Sequence, residues 1–319
     1  MKMLITGGAG FIGSHLCDKY VQQGHTVICF DNFLNGDLTN IRHLLTCKNF
    51  KLVNGDVRDF NMIEKIMSSG VNVVFHLAAQ IHVDRSIIEP KMTYDINVGG
   101  TLNVLEAARM NDIEKILFAS SSEVYGTSQY SPMDELHPLN APHPYGASKI
   151  ASDRLCYSYI ETYGMNIAIV RSFNVYGKRQ KDTGYGGAIS IFTKRVMNNQ
   201  PPVIYGNGMQ TRDYLYILDL IDGYDMLLKN KKSIDYPINF GTGVDISILS
   251  IAKKIINLFG KSFDPVHVAP RPGEVDRLIA DITKAKNFGW APKYTFDAGL
   301  IEFTDWYKNY RTEEWEKPG

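Results

Sequence analysis

One segment constrains the fold more than any other. Gly7-Gly8-Ala9-Gly10-Phe11-Ile12-Gly13 has a short apolar run before it and an amphipathic run after it. Met3–Thr6 reads as a strand, and Phe11–Gln23 as a helix whose apolar Ile12, Leu16, Tyr20 and Val21 share one stripe. Glycines spaced three apart at a strand-to-helix turn let backbone approach a pyrophosphate, whose charge meets the helix N-terminus. In that context the loop predicts a dinucleotide cradle in which Gly7, Gly10, Phe11, Ile12 and Gly13 touch the ligand.

The pattern continues in the same sense. Thr26–Phe30, Leu52–Val53, Val73–Leu77, Ile116–Ser120 and Ile167–Ser172 read as further strands, with helices at Val98–Arg109 and Gly146–Tyr163. Regular β-α alternation implies an α/β fold, a doubly wound parallel sheet of the Rossmann type with helices on both faces. Beyond about residue 175 glycines and prolines cut the chain into shorter pieces. Residues 1–175 are therefore expected to form the dinucleotide domain and 176–319 a smaller, mainly substrate-binding lobe. A segment within 210–245 is expected to return to the first domain, Ile238–Gly241 being short and apolar enough to rejoin the main sheet. The length of 319 residues suits such a division.

Composition removes other classes. Thirty-four basic and 34 acidic residues cancel, which gives no electrostatic case for nucleic acid or an anionic membrane. No apolar run approaches the roughly 20 residues that span a bilayer. The N-terminal run lacks a small-residue cleavage site, so it does not read as a signal peptide. Cys17, Cys29, Cys47 and Cys156 are scattered without metal spacing, and the expectation is reduced thiols, no metal site and a cytoplasmic protein.

Several residues stand at strand ends, where an α/β sheet meets its ligand. Asp31 closes the second strand, where a carboxylate bonds ribose hydroxyls and repels a 2′-phosphate; Asn32 and Phe33 supply no cation, so NAD is expected rather than NADP. Asp56 and Val57 end the third strand, near the adenine. Leu77, Ala78 and Ala79 close the fourth with side chains small enough for cofactor contact. Ser121, Ser122 and Glu123 follow the fifth, offering hydroxyls and an acid or base. Tyr145 and Lys149, at i and i+4, share a helix face. A phenol with a pKa of about 10 becomes a base when cations beside it favour the phenolate, so this pair suits oxidation of a hydroxyl.

Together these residues resemble the extended short-chain dehydrogenase/reductase enzymes that act on nucleotide sugars: 4-epimerases, 4,6-dehydratases and UDP-glucuronate decarboxylases. The resemblance runs through TGGAGFIG, Asp31, GDV, HLAAQ, NVGGT, SSSEVYG, YGASK, RSFNVYG, QTRDYLYILD and RPGEVD. It implies NAD as cofactor, a nucleotide-diphosphate sugar as substrate and a homodimer built on helices Val98–Arg109 and Gly146–Tyr163, burying Leu155, Tyr159 and Tyr163. It further implies that Tyr145 takes the C4-hydroxyl proton, Lys149 holds the nicotinamide ribose, and Ser121 bonds the same sugar oxygen. Asn97 would contact the cofactor, and Gln80, Asn174, Arg212 and Arg271 the substrate.

All three reactions open with oxidation at C4. Ser122-Glu123 resembles the hydroxyl-plus-glutamate pair of the dehydratases, where the carboxylate removes the C5 proton and the hydroxyl helps the C6 hydroxyl leave. Glu123 also matches the decarboxylases, and Lys181–Phe192 looks more like the 4-epimerases. The expected reaction is 4,6-dehydration, with 4-epimerisation, decarboxylation and a catalytically silent nucleotide-binding protein as the alternatives.

Overall fold

The computed structural model describes residues 1–182, 187–230, 237–270 and 276–315, with side chains through residue 310. The first half alternates as β1 (Lys2–Thr6), α1 (Phe11–Gln22), β2 (Thr26–Asp31), β3 (Phe50–Asn54), α2 (Phe60–Met67) and β4 (Val73–His76). Then come α3 (Val83–Ile88), α4 (Pro90–Tyr94), α5 (Gly100–Met110), β5 (Lys115–Ala119), α6 (Pro144–Tyr163) and β6 (Ile167–Ser172). The later strands are β7 (Asn174–Tyr176), β8 (Val203–Tyr205), β9 (Thr211–Tyr216), β10 (Ile238–Phe240), β11 (Asp245–Ser247), β12 (Val266–Val268) and β13 (Arg277–Leu278).

The main sheet has seven strands in the order β10-β6-β5-β4-β1-β2-β3. β1 pairs in parallel with both β2 and β4, so the order reverses at β1. Ligands of such sheets bind at that reversal, beyond the strands' carboxyl ends. Ile238–Phe240 forms β10, the sheet's last strand, beside β6. The central strands are buried on both faces, β4 completely, because helices cover each side, whereas the edge strand β3 is only partly covered. Leu4, Ile28, Phe30, Val74, Ile116 and Ile169 pack against Ile63 of α2, Val104 and Leu105 of α5, and Cys156 of α6.

The chain divides into two compact units. The first comprises Met1–Gly126, Glu135–Ser172 and Ile221–Asn239; the second comprises Thr127–Asp134, Phe173–Leu220 and Phe240–Gly319. The second is built on β9, flanked by β7, β11 and β13, and closed by aromatic packing of Tyr176, Tyr216 and Phe296. Among the described residues no helix is long and apolar enough to cross a membrane, and the four cysteines are free.

Two expectations are corrected here. The helix placed over Val98–Arg109 is continuous with a five-residue π turn, Asp95–Gly99, and only Gly100–Met110 is α-helical. Tyr159, expected on an apolar intersubunit surface, is already buried within the chain, and its hydroxyl donates to Glu106 (2.6 Å). Tyr163 remains exposed, under the Arg109 guanidinium.

Candidate active site

The glycine loop is shaped for backbone contact. A Cβ on Gly13 would lie 2.2 Å from the Gly7 carbonyl oxygen, and one on Gly7 would lie 2.8 Å from the Ala78 nitrogen. Gly7 also has φ +69, a conformation glycine adopts without cost. The loop after β1 therefore sits against Leu77-Ala78-Ala79 after β4, at the reversal point. Gly10 caps α1 without a side-chain hydrogen bond, so the first turn presents its N–H groups uncapped by protein side chains, as an anion site requires. These features fit a dinucleotide pyrophosphate.

Asp31 is buried, and its carboxylate accepts the N–H of Ala9 (2.9 Å) and of Phe33 (2.8 Å). It braces the glycine loop from the end of β2. Asp56 receives the Asn32 amide (2.7 Å) and both arms of the Arg58 guanidinium (2.9 and 2.7 Å). Hydrogen bonding from Arg58 holds its carboxyl down at about 2. Arg58 is a cation the sequence reading did not place near Asn32, and Asp56 matches its charge. Val57 is buried against Gly100 of α5.

Asn97 lies in the π turn. Its amide nitrogen donates to the Gln80 carbonyl (3.0 Å) and the Ser148 hydroxyl (2.9 Å), and its oxygen accepts the Gln80 N–H (2.7 Å). Its carbonyl also accepts the Ser152 hydroxyl (2.8 Å), so the π turn is locked to α6. Gln80 is wholly buried; its side-chain nitrogen donates to the His82 carbonyl and to Thr93, and its oxygen accepts the His82 N–H. Both amide hydrogens and one acceptor position of Gln80 are thus engaged inside the protein, where the side chain braces the segment leading into α3. The amide of Asn97 is likewise committed within the protein.

The reactive residues gather at the carboxyl end of β5 and the start of α6. Ser121 caps a short 3-10 turn, Ser122–Val124, by accepting the Glu123 N–H (3.2 Å). Ser122 is buried in that turn, and the Glu123 side chain is one-third exposed. On α6, Tyr145 is buried. Burial pushes its phenol up to about 12; the nearby Ser121 hydroxyl works against that, and the Glu123 charge adds to it. Lys149, one turn on, is buried, donates to the Ala119 carbonyl (2.8 Å), and is brought down to about 8 by burial. This turn of helix thus joins a phenol, a hydroxyl, an ammonium and a carboxylate, the parts needed to take a proton from an alcohol and another from a neighbouring carbon.

Sequence reasoning missed the groups that aim α6. Pro144 opens the helix with His143 as its cap, whereas the helix was expected to begin at Gly146. The Tyr145 N–H donates to Ser86 of α3 (3.1 Å). Asp153, fully buried, accepts Ser120 (2.9 Å) and both a nitrogen pair of Arg171 (2.9 and 3.0 Å) and Arg154 (2.6 Å). Asn174 and Arg212 belong to the second unit, on β7 and β9; the Asn174 side-chain oxygen is buried with no hydrogen-bond partner among the described residues, and Arg212 donates to the Thr211 carbonyl. Arg271 lies outside the described residues.

Comparison with known proteins sharpens this picture. The sequence profile of the GDP-mannose 4,6-dehydratase family matches residues 4–303. A Methanocaldococcus jannaschii protein provisionally named a UDP-glucose 4-epimerase is 42% identical over 96% of this chain and 98% of its own. The UDP-glucose 4-epimerase of Thermotoga maritima, solved with UDP-glucose, superposes with a TM-score of 0.93 at 32% identity, over 98% of this chain and all of that one. The dTDP-glucose 4,6-dehydratase of Streptomyces venezuelae, solved with NAD bound, gives 0.92 at 28% identity over 98% of both chains.

Proposed function

The chain belongs to the extended short-chain dehydrogenase/reductase family of NAD-dependent nucleotide-sugar epimerases and dehydratases, and from that premise we propose that it is a nucleotide-sugar 4,6-dehydratase. NAD is its cofactor; when bound, it accepts a hydride from C4 of the sugar and later returns one at C6. Tyr145 takes the C4-hydroxyl proton, with Ser121 bonded to the same oxygen and Lys149 holding the nicotinamide ribose. The resulting C4 ketone acidifies C5–H, and Glu123 removes that proton. The C6–O bond then breaks as the departing hydroxyl takes a proton relayed from solvent through the Ser122 hydroxyl, and it leaves as water. Glu123 finally returns a proton, exchanged with solvent, to C5. Asn174, Arg212 and Arg271 are proposed to hold the nucleotide diphosphate sugar; a guanidinium fork suits the diphosphate.

The observation that carries this reading is the Glu123 carboxylate, in the turn after β5 and 3.2 Å from the His143 ring that stacks on Tyr145. An epimerase needs no base at C5. The second reading, a 4-epimerase, draws on the names of the Methanocaldococcus and Thermotoga relatives. Incubation with UDP-N-acetylglucosamine, GDP-mannose and dTDP-glucose in deuterated water separates the two by mass spectrometry. Dehydration removes water and incorporates deuterium, whereas epimerisation leaves the mass unchanged. The protein is further proposed to act as a homodimer through α5 and α6, where Leu102 and Tyr163 are exposed; light scattering at micromolar concentration should give twice the chain mass.

A further inference from the structure

One contact at the reactive turn has no part in the scheme above. His143 caps α6 with its Nδ1, which accepts the Gly146 N–H at 3.0 Å. A backbone N–H can only donate, so Nδ1 is the bare nitrogen, and in the neutral ring the proton sits on Nε2. Nε2 lies 3.2 Å from one carboxylate oxygen of Glu123, so the ring donates to it. Among the described residues the other oxygen accepts no hydrogen bond. The close approach depends on Gly146: a Cβ there would lie 2.9 Å from the Glu123 carbonyl oxygen and 3.1 Å from the His143 ring. The His143 side chain is 15% exposed, and its ring runs parallel to that of Tyr145.

We infer that His143 is a positioning residue for Glu123. The helix cap fixes the tautomer, the tautomer makes the ring a donor, and the donor holds one carboxylate oxygen so that the other meets the C5 proton. The same cap bars His143 from taking a proton out of Glu123. Nε2 already carries the ring's proton; it could accept one only if that proton sat on Nδ1 instead, against the Gly146 N–H. The proton that Glu123 removes therefore exchanges with solvent directly. This inference deepens the dehydratase reading and rests on it.

The test uses the full chain, three single variants and one double variant. In 15N-labelled native protein, long-range proton–nitrogen correlation should show His143, identified by its loss in His143→Asn, protonated at Nε2 and bare at Nδ1. Asparagine keeps a capping oxygen but has no atom that reaches Glu123. His143→Asn should therefore melt with the native protein. Its kcat for water loss, on whichever nucleotide hexose of the panel above is dehydrated, should fall roughly 10- to 100-fold, the scale of a misplaced reacting group. KM and NADH formation should change little. His143→Gln, which can still offer a distal N–H, should recover part of that loss. In a Glu123→Gln background His143→Asn should have no further effect. A proton on Nδ1 in the native protein, or native turnover in His143→Asn while Glu123→Gln is impaired, overturns the inference alone. Full turnover in Glu123→Gln overturns the base reading and this inference with it.

Discussion

Replacing Arg171 by methionine should destabilise the protein strongly, because it strands a charge inside the reactive unit. Arg171 is 1% exposed, and Asp153, on the same helix as Tyr145 and Lys149, is fully buried. Arg171 gives Asp153 two hydrogen bonds and reaches Tyr125 and the Glu135 carbonyl with a third nitrogen. Removing one partner of a buried pair costs about 3–5 kcal/mol. Arg154 and Ser120 still donate to Asp153, which places the loss near the lower bound, about 3 kcal/mol. An unfolding entropy of about 2.1 cal/mol/K per residue, over 319 residues, gives about 0.7 kcal/mol per degree and a Tm drop of about 4–5 °C.

The pH dependence has a definite sign. Burial alone would raise the Asp153 carboxyl, but the charge and hydrogen bonds of Arg171 hold it below its usual value. In the native protein that stabilisation is present above the ordinary aspartate range and is lost as pH falls through the depressed value. In Arg171→Met burial dominates, the folded carboxyl rises, and acid relieves the variant. The Tm gap, followed by circular dichroism, should therefore narrow from pH 7 to pH 4. Adding Asp153→Leu should recover most of the loss. A drop below about 1 °C, a gap that widens in acid, or a double variant weaker than the single one would refute the reasoning.

Gly13→Ala places a Cβ 2.2 Å from a backbone oxygen, so the loop must shift and NAD affinity in equilibrium dialysis should fall at least about tenfold; unchanged affinity contradicts the cradle. Asp31→Ala should weaken NAD binding, relax discrimination against NADP, and lower the Tm because Ala9 and Phe33 lose their acceptor; equal native affinity for the two cofactors would remove the argument. Ser121→Ala removes the hydroxyl that pulls the Tyr145 phenol down against burial. In the proposed scheme the phenolate is the base, so the rise of single-turnover NADH formation with pH should move to higher pH; an unmoved profile tells against the Tyr145–Ser121 pair.

The parts legible in the sequence were those set by local period and turn chemistry. The strand, glycine loop and helix at residues 2–22 follow from apolar spacing and three glycines. Tyr145 and Lys149 share a face because the helix repeats every 3.6 residues. The rest depends on partners far along the chain. The π turn at Asn97 is held by Gln80, Ser148 and Ser152, and nothing in the local pattern of Val98–Arg109 distinguishes it from α-helix. Gln80 looks like a polar strand-end residue until His82 and Thr93 engage its amide. The Asp153–Arg171 pair joins a helix to a strand 18 residues later. His143 carried a signal that went unread: a polar residue before Pro144 is a helix start.

Glu123→Gln tests the central claim most directly. Glutamine keeps the size and the contact toward His143 but cannot take a proton. Mixed with the nucleotide hexose that the native protein dehydrates, the variant should form NADH, because Tyr145, Ser121 and Lys149 are intact. Water loss and C5 deuterium exchange should fall by about 10²–10⁴, the usual contribution of a general base. Water loss at the native rate would contradict the account and leave 4-epimerisation as the reaction of this site.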